Sequence, residues 1–365
     1  MSVQSEIDRI ITAVGNAYSK VLEKGGTVPA SQTVANLATA IDSIPEGVGL
    51  ELVSNVATGA TVTATLGSKT VTGVSVDGQV RLKIPQEGKW TVSATSGAQV
   101  SVPQEVSVPA TVDITLMTIQ ELNDTSWATI KQVSDANMGA NFWSVGDCKQ
   151  ITMSGKVSDG LTLTNYTAWV FIIGFNHNAE REGNGIAFQG FKATKNGTPV
   201  CLVDSGYNSA KTSGTWFNMN NAKTNAGGWE ASLMRKNVMP LIKAAFPSDL
   251  KAVIKPSTIF TTQGGGNDAC TATEDEVFLL AEFEVFGANS WASTHEPNYL
   301  KQYAYYSAGN SKKMYKHDTT ATAARWWGRS PISGYSDRFC YVNTAAAAAG
   351  RYATDSYGVS PCFKV

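Results

Sequence analysis

Long apolar runs are missing from this sequence. The longest, AWVFIIGF at 168–175, is eight residues and too short to cross a bilayer, so no membrane insertion is expected. An excess of charge of either sign is missing too: Lys and Arg total 29 against 30 Asp and Glu, and the sequence pI is about 6.3. Phosphate binding needs a basic surplus, so nucleic acid is not an expected partner. Cysteine is sparse and odd in number (Cys148, Cys201, Cys270, Cys340, Cys362), with no C-x-x-C. The five read as mostly buried free thiols, and Cys340–Cys362 is the one pair worth testing as a bridge. His177, His295 and His317 are the only histidines; none lies in H-E-x-x-H or at zinc spacing from a cysteine. There is no G-x-S-x-G elbow, and GGGN at 264–267 lacks the Lys-Ser/Thr of a phosphate cradle, so it reads as a flexible loop. The carboxylates of TEDEV lack the ladder of oxygen ligands that calcium requires and read as a solvated turn. The start, MSVQSEIDRI, has neither a basic n-region nor an apolar h-region, so no secretory leader is expected. These absences together predict a protein that is not an enzyme and uses no cofactor and no metal. What is abundant instead is Gly, Ser, Thr, Asn and aromatic side chains, the makings of a neutral, hydrogen-bonding surface.

Patterning divides the chain into 1–47, 48–118 and 119–365, an α+β protein overall. Residues 2–24 read as a helix capped by Ser2 or Ser5, with Glu6 and Asp8 at the positive dipole end. Val3, Ile7, Ile10, Val14, Ala17 and Val21 make a heptad seam, and Gly25-Gly26 ends it. A second helix, from about Gln32 to Ile44, carries Val34, Leu37, Ile41 and Ile44 on one face, with Pro45 and Gly47 as stops. Two such helices cannot hold a core alone. They are expected to pack on copies of themselves or on another subunit, the alternative being an intramolecular helical hairpin. From Leu50 to about Met117 alternating segments (TVTATLG, QVRLKIP, KWTVSAT, ATVDITL) with regularly spaced turns predict a small immunoglobulin-like β-sandwich that acts as a spacer. In the remainder LMRKNVMPLIKAAF reads as a helix, and AWVFIIGF and EVFLLAEFEVF read as buried strands. Long Gly/Asn/Ser-rich loops separate them, and long loops in a compact domain are usually functional or flexible.

Nearly all of 119–365 resembles a known family through long, ordered phrases: WATIKQVSDANMGANFWSVGDCKQITMSG, FIIGFNHN, GGWEASLMR, FPSDLKAVIKP, FLLAEFEVFG, QYAYYSAGNSKKMYKH and WWGRSP…FCYVN…GVSPCF. It is similar to the C-type-lectin-fold domains that end bacterial and phage surface proteins in W-W-L-R-S-P…F-C-x-V…G-V-x-P-x-F. The variable proteins of diversity-generating retroelements and the formylglycine-generating enzymes share that fold. The sequence departs at Gly328, where Leu is usual. The first fifty residues resemble the start of phage tail proteins, through TVP…LATAIDSIP.

The resemblance implies a C-terminal C-type-lectin-like α+β domain in which Trp326, Trp327, Phe339, Val342, Val359 and Phe363 anchor the frame and Arg329 pairs inward. Residues strung between the anchors are then exposed and free to vary. Retroelement diversification of Asn codons cannot produce Lys, Glu, Gln, Met or Trp, and none of these five types occurs between Ile332 and Tyr357. Tyr335, Ser336, Asp337, Arg338, Tyr341, Arg351, Tyr352, Thr354, Asp355 and Tyr357 are therefore the candidate ligand contacts, in residue types that binding loops favour. The expected function is host attachment by a phage tail tip. The partners would be a host cell-surface receptor, protein or glycan, and other tail proteins held by the N-terminal helices; the chain would be a homotrimer within a virion assembled in the host cytoplasm. A surface adhesin with a fixed ligand is the alternative, followed by a formylglycine-generating-like enzyme using Cys340 and Cys362. Glu296-Pro297-Asn298 matches the sugar-binding tripeptide of calcium-dependent lectins, but the Trp-Asn-Asp that completes their calcium cage is absent.

Overall fold

A computed structural model describes residues 3–24, 26–44, 50–97 and 99–365. The cap expected of Ser2 and the stops expected of Gly25, Pro45 and Gly47 lie outside the described residues. The chain forms two compact units, Met1–Ile119 and Gln120–Val365, of mixed α and β structure.

The first unit opens with helices α1 (Val3–Glu23) and α2 (Val34–Asp42). Among the described residues, only the second half of the α1 seam closes within the chain. Tyr18 and Val21 bury against Ala40, with Val14, Leu37 and Ile44 around them, and the Tyr18 hydroxyl donates to the Thr33 carbonyl at 2.7 Å. Val3, Ile7 and Ile10 stay exposed, with Ile11 beside them. The helical hairpin thus accounts for the second half of the helix and leaves the apolar residues of its first half exposed. Among the described residues the strands that follow are β1 (Glu51–Asn55), β2 (Thr61–Leu66), β3 (Lys69–Val74), β4 (Gln79–Lys83), β5 (Gly88–Ser96), β6 (Gln99–Val100), β7 (Gln104–Val108), β8 (Ala110–Asp113) and β9 (Met117–Thr118). They form a sheet of order β4-β1-β8 and a larger one, β3-β2-β5-β6-β9, with β7 on β5. Alternation places Leu52, Val62, Leu82, Trp90, Val92 and Val112 in one shared core while their neighbours face out.

The second unit begins at helix α3 (Trp127–Asp135), where Ser126 Oγ accepts from the Thr129 amide as an N-cap. Long strands β10 (Cys148–Ser158) and β11 (Leu161–Phe175) continue through β12 (Ile186–Lys192) to β21 (Cys362–Lys364) in one sheet. Between them run β13 (Val200–Cys201), the hairpin β14 (Ser257–Gly264) and β15 (Asn267–Asp275), β16 (Met314–Lys316) and β17 (Ala323–Ala324). A three-stranded antiparallel sheet of β18 (Trp326–Pro331), β19 (Arg338–Val342) and β20 (Ala348–Tyr352) completes the unit.

Two local expectations need correction. EVFLLAEFEVF is buried but is not a strand: Phe278 makes a single bridge to Cys362, and Glu282–Phe286 turns into a short helix. LMRKNVMPLIKAAF is helical, but Met234–Val238 is a π turn before the α-helix Met239–Ala245. The stretch 353–365 is buried throughout, bridging Ala210, Asn218, Leu202 and Phe278 on the way to β21.

Candidate functional site

The frame expected around the β18–β20 sheet is present. Trp326, Trp327, Phe339, Val342, Val359 and Phe363 are at most 3% exposed. The Trp327 indole donates to the Phe217 carbonyl at 2.9 Å and the Trp326 indole to Lys312 at 3.0 Å, so each buried N–H is satisfied. Arg329 is fully buried. Its guanidinium grips both Glu284 oxygens at 2.6 and 2.7 Å and donates to the Leu279 carbonyl at 2.7 Å. Burial pulls its pKa down and the Glu284 charge more than reverses the effect, so the guanidinium stays charged.

The ten candidate contacts divide into three groups. Thr354, Asp355 and Tyr357 are not surface residues: they are 2%, 8% and 1% exposed. The expectation fails there because 353–357 is threaded through the core by backbone bridges, and Tyr357 lies between Trp327 (5.0 Å) and Tyr341 (5.1 Å). The remaining seven are exposed or half-buried. Residues directly opposite in an antiparallel pair share a face. Arg338 opposes Tyr352 and Cys340 opposes Gly350, whereas Phe339 opposes Arg351 and Tyr341 opposes Ala349. Arg338 and Tyr352 therefore lie on one face of the sheet, and Tyr341 and Arg351 on the other.

On the first face the Arg338 guanidinium lies over the rings of Tyr335 (4.5 Å) and Tyr352 (4.9 Å), and Lys223 lies 4.4 Å from the Tyr352 centroid. Asp337 stands 3.5 Å from Arg338 Nε, and Ser336 is exposed between Tyr335 and Asp337. Trp291 continues the aromatic row; its indole donates to the Ala348 carbonyl at 3.2 Å. On the second face Arg351 donates to Asp355 at 2.6 Å. Sequence reasoning missed the residue that holds the first face together. Buried Asn225 donates from Nδ2 to the carbonyls of Tyr335 (2.7 Å) and Arg338 (2.8 Å), accepts from the Gly265 amide at 2.7 Å, and donates its own amide to Ser336. GGGN is accordingly no loose loop. It is the β14–β15 turn, with positive φ at Gly264, Gly265 and Gly266, and a Cβ on Gly264 would meet the Asn225 carbonyl at 2.2 Å.

The other candidates are structural. All five cysteines are free, so Cys340 and Cys362 do not pair. Burial raises both thiols well above their usual pKa, which keeps them protonated and weakly nucleophilic. Glu296 of the Glu-Pro-Asn tripeptide turns inward and accepts from Thr262 N and Oγ1 at 3.2 Å and from Ser330 at 2.7 Å, so it offers nothing to an external calcium. Burial lifts its carboxyl to about 7. His177, Glu182 and Glu284 bring ligand-capable atoms within 4.8 Å of one another. The two carboxylates are already neutralised there, by Lys364 at 3.0 Å and by Arg329, so a divalent ion would bring uncompensated charge into the core. Burial pushes His177 down to about 3 and leaves it neutral, stacked on Tyr303. His317 Nδ1 accepts from the Val203 amide at 3.1 Å, and His295 lies at the surface beside Ser293. In TEDEV, Asp275 is paired with Arg235 and Glu276 with Lys243.

No curated protein and no solved structure matches the chain. Residues 207–365, which hold the β14–β15 hairpin, the β18–β20 sheet and every residue of both faces, match a family model described as a domain of unknown function, DUF6273.

Proposed function

We propose that this chain is a phage tail host-attachment protein that binds a receptor on the host surface through the faces of the β18–β20 sheet. The observation that carries the reading is the contrast along one short stretch. Anchors at most 3% exposed alternate with exposed or half-buried Tyr and Arg side chains. Tyrosine supplies rigid amphipathic contact area at small entropic cost, and arginine supplies directional donors. In this reading Gln120–Val365 is a C-type-lectin-like domain, the two-sheet region is an immunoglobulin-like spacer, and the helices join the chain to other tail proteins and to two further copies in the virion.

The test is binding of the full chain to whole bacterial cells across a strain panel. Two variants, Tyr335→Ala/Tyr352→Ala and Tyr341→Ala/Arg351→Ala, probe the two faces. Loss of cell binding in either, with a cooperative thermal transition retained, is expected; unchanged binding in both would sink the reading. Diversification makes a further forecast at the gene. Substitutions among isolates should fall at Tyr335, Ser336, Asp337, Arg338, Tyr341, Arg351 and Tyr352 and spare 353–357. Equal variation at Thr354, Asp355 and Tyr357 would contradict it.

A further inference from the structure

The first face has a chemistry of its own. The Arg338 guanidinium lies against two tyrosine rings, at 4.5 and 4.9 Å from their centroids, yet its terminal nitrogens are poorly used by the protein. Its Nε is buried with no hydrogen-bond partner, and among the described residues neither terminal nitrogen donates a hydrogen bond. Asp337 forms an ion pair with Nε at 3.5 Å, too long for a hydrogen bond, which leaves the terminal nitrogens for a ligand. Tyr352 has a second cation over it, Lys223, which is exposed and makes no ion pair among the described residues. The Asp355 carboxylate is engaged by Arg351. A clamped, underused fork beside a free ammonium is a local surplus of positive charge with directional donors, the geometry that receives a carboxylate in two parallel hydrogen bonds.

The surroundings are shallow. A Cβ on Gly350 would lie 1.8 Å from Ile332 Cδ1, and Ile332 is itself only 2% exposed, so the centre of the face is packed and covered rather than open to an apolar anchor. The exposed surface is a row of ring faces and edges, with Tyr335 45% and Trp291 39% exposed. An acidic peptide or protein would normally seat a side chain in a pocket to gain affinity. A sugar ring needs only a flat aromatic surface for its C–H face and donors for its charged group. We propose that Arg338 is the anion-reading residue of this face, and that the ligand it selects is an acidic saccharide whose carboxylate docks on the guanidinium while its ring lies along Tyr335. The proposal rests on the attachment reading above and narrows it to one ligand class.

The experiment measures binding of the full chain to polygalacturonate, to polysialic acid, to the carboxyl-reduced form of each, and to poly-L-glutamate, at one fixed ionic strength because surface charge attraction is screened. Binding to at least one acidic polymer is expected, weakened about tenfold or more by carboxyl reduction, as loss of a charge-assisted pair implies. Arg338→Gln should weaken it by a similar factor. Arg338→Lys should recover only part, since an ammonium cannot grip both oxygens. Thermal melts of both variants confirm the fold. Binding of neither acidic polymer, equal binding of the reduced forms, or tighter binding of poly-L-glutamate overturns the proposal. Cell binding separates it from its parent: Arg338→Gln at full strength beside a dead Tyr335→Ala/Tyr352→Ala removes the acid subsite and leaves the attachment face standing.

Discussion

Glu296 shows how much a single side chain can hide behind a motif. The tripeptide spells a sugar-binding motif whose calcium cage the sequence does not complete, and the carboxyl is sealed inside, tied to Thr262 and Ser330, with burial raising it to about 7. A carboxyl raised in the folded state binds its proton more tightly there than in the unfolded chain. Its contribution to stability is therefore complete below about pH 4.5 and is lost as pH climbs through about 7. Glu296→Gln keeps an acceptor for Thr262 and removes the ionisation. The variant should melt higher than the parent at pH 8, by on the order of 2–3 kcal/mol of stability, and no higher at pH 5. Melting curves at the two pH values check this; an equal effect at both would refute it. Asn225 makes the opposite point. Its hold on Tyr335 and Arg338 spans more than a hundred residues of sequence, and nothing local distinguishes it from the other asparagines.

The strands carry the next lesson. Where a strand packs one face on a core, the period of two was readable from the residues, as in Val62/Ala64 and Trp90/Val92/Ala94 of the first unit. The Trp and Phe anchors of the second unit were readable through the resemblance. The split of the candidate contacts was not, because it depends on register, and register is a relation between strands. Nor was the burial of 353–357, whose residues look like surface types and owe their position to bridges with distant segments. Neighbouring positions in β20 should therefore differ sharply in tolerance. Gly350→Ala drives a methyl into Ile332 and should cost on the order of 1–3 kcal/mol, as overpacking does. Ala349→Ser, half-exposed on the other face, should stay within about 0.5 kcal/mol. Chemical denaturation of the two single variants measures the contrast, and equal costs would show that the central glycine is not confined as described.

At the scale of the whole molecule the chain joins regions of very different self-sufficiency. The two sheets of the first unit enclose a core of their own, and the second unit buries Trp229, Trp326, Trp327 and a paired arginine. The first half of α1 is the exception, with Val3 80% and Ile11 64% exposed. Ile7 and Ile10 continue that apolar stripe, and β-branched residues at heptad positions favour association beyond a pair. Sedimentation of the full chain should find an oligomer, and Ile7→Asp/Ile10→Asp should yield monomers whose sheet regions melt as before. A wild-type monomer at micromolar concentration would rule out this seam as the means of assembly.

The alternation within β20 has an outcome for how such a surface can change over generations. Arg351 and Tyr352 are chain neighbours facing opposite ways, fixed by pairing with Phe339 and Arg338. Adding or deleting one residue within Ala348–Tyr352 would exchange the two sides and aim polar groups at Ile332. Spelling changes can rewrite this surface indefinitely; changes of length cannot.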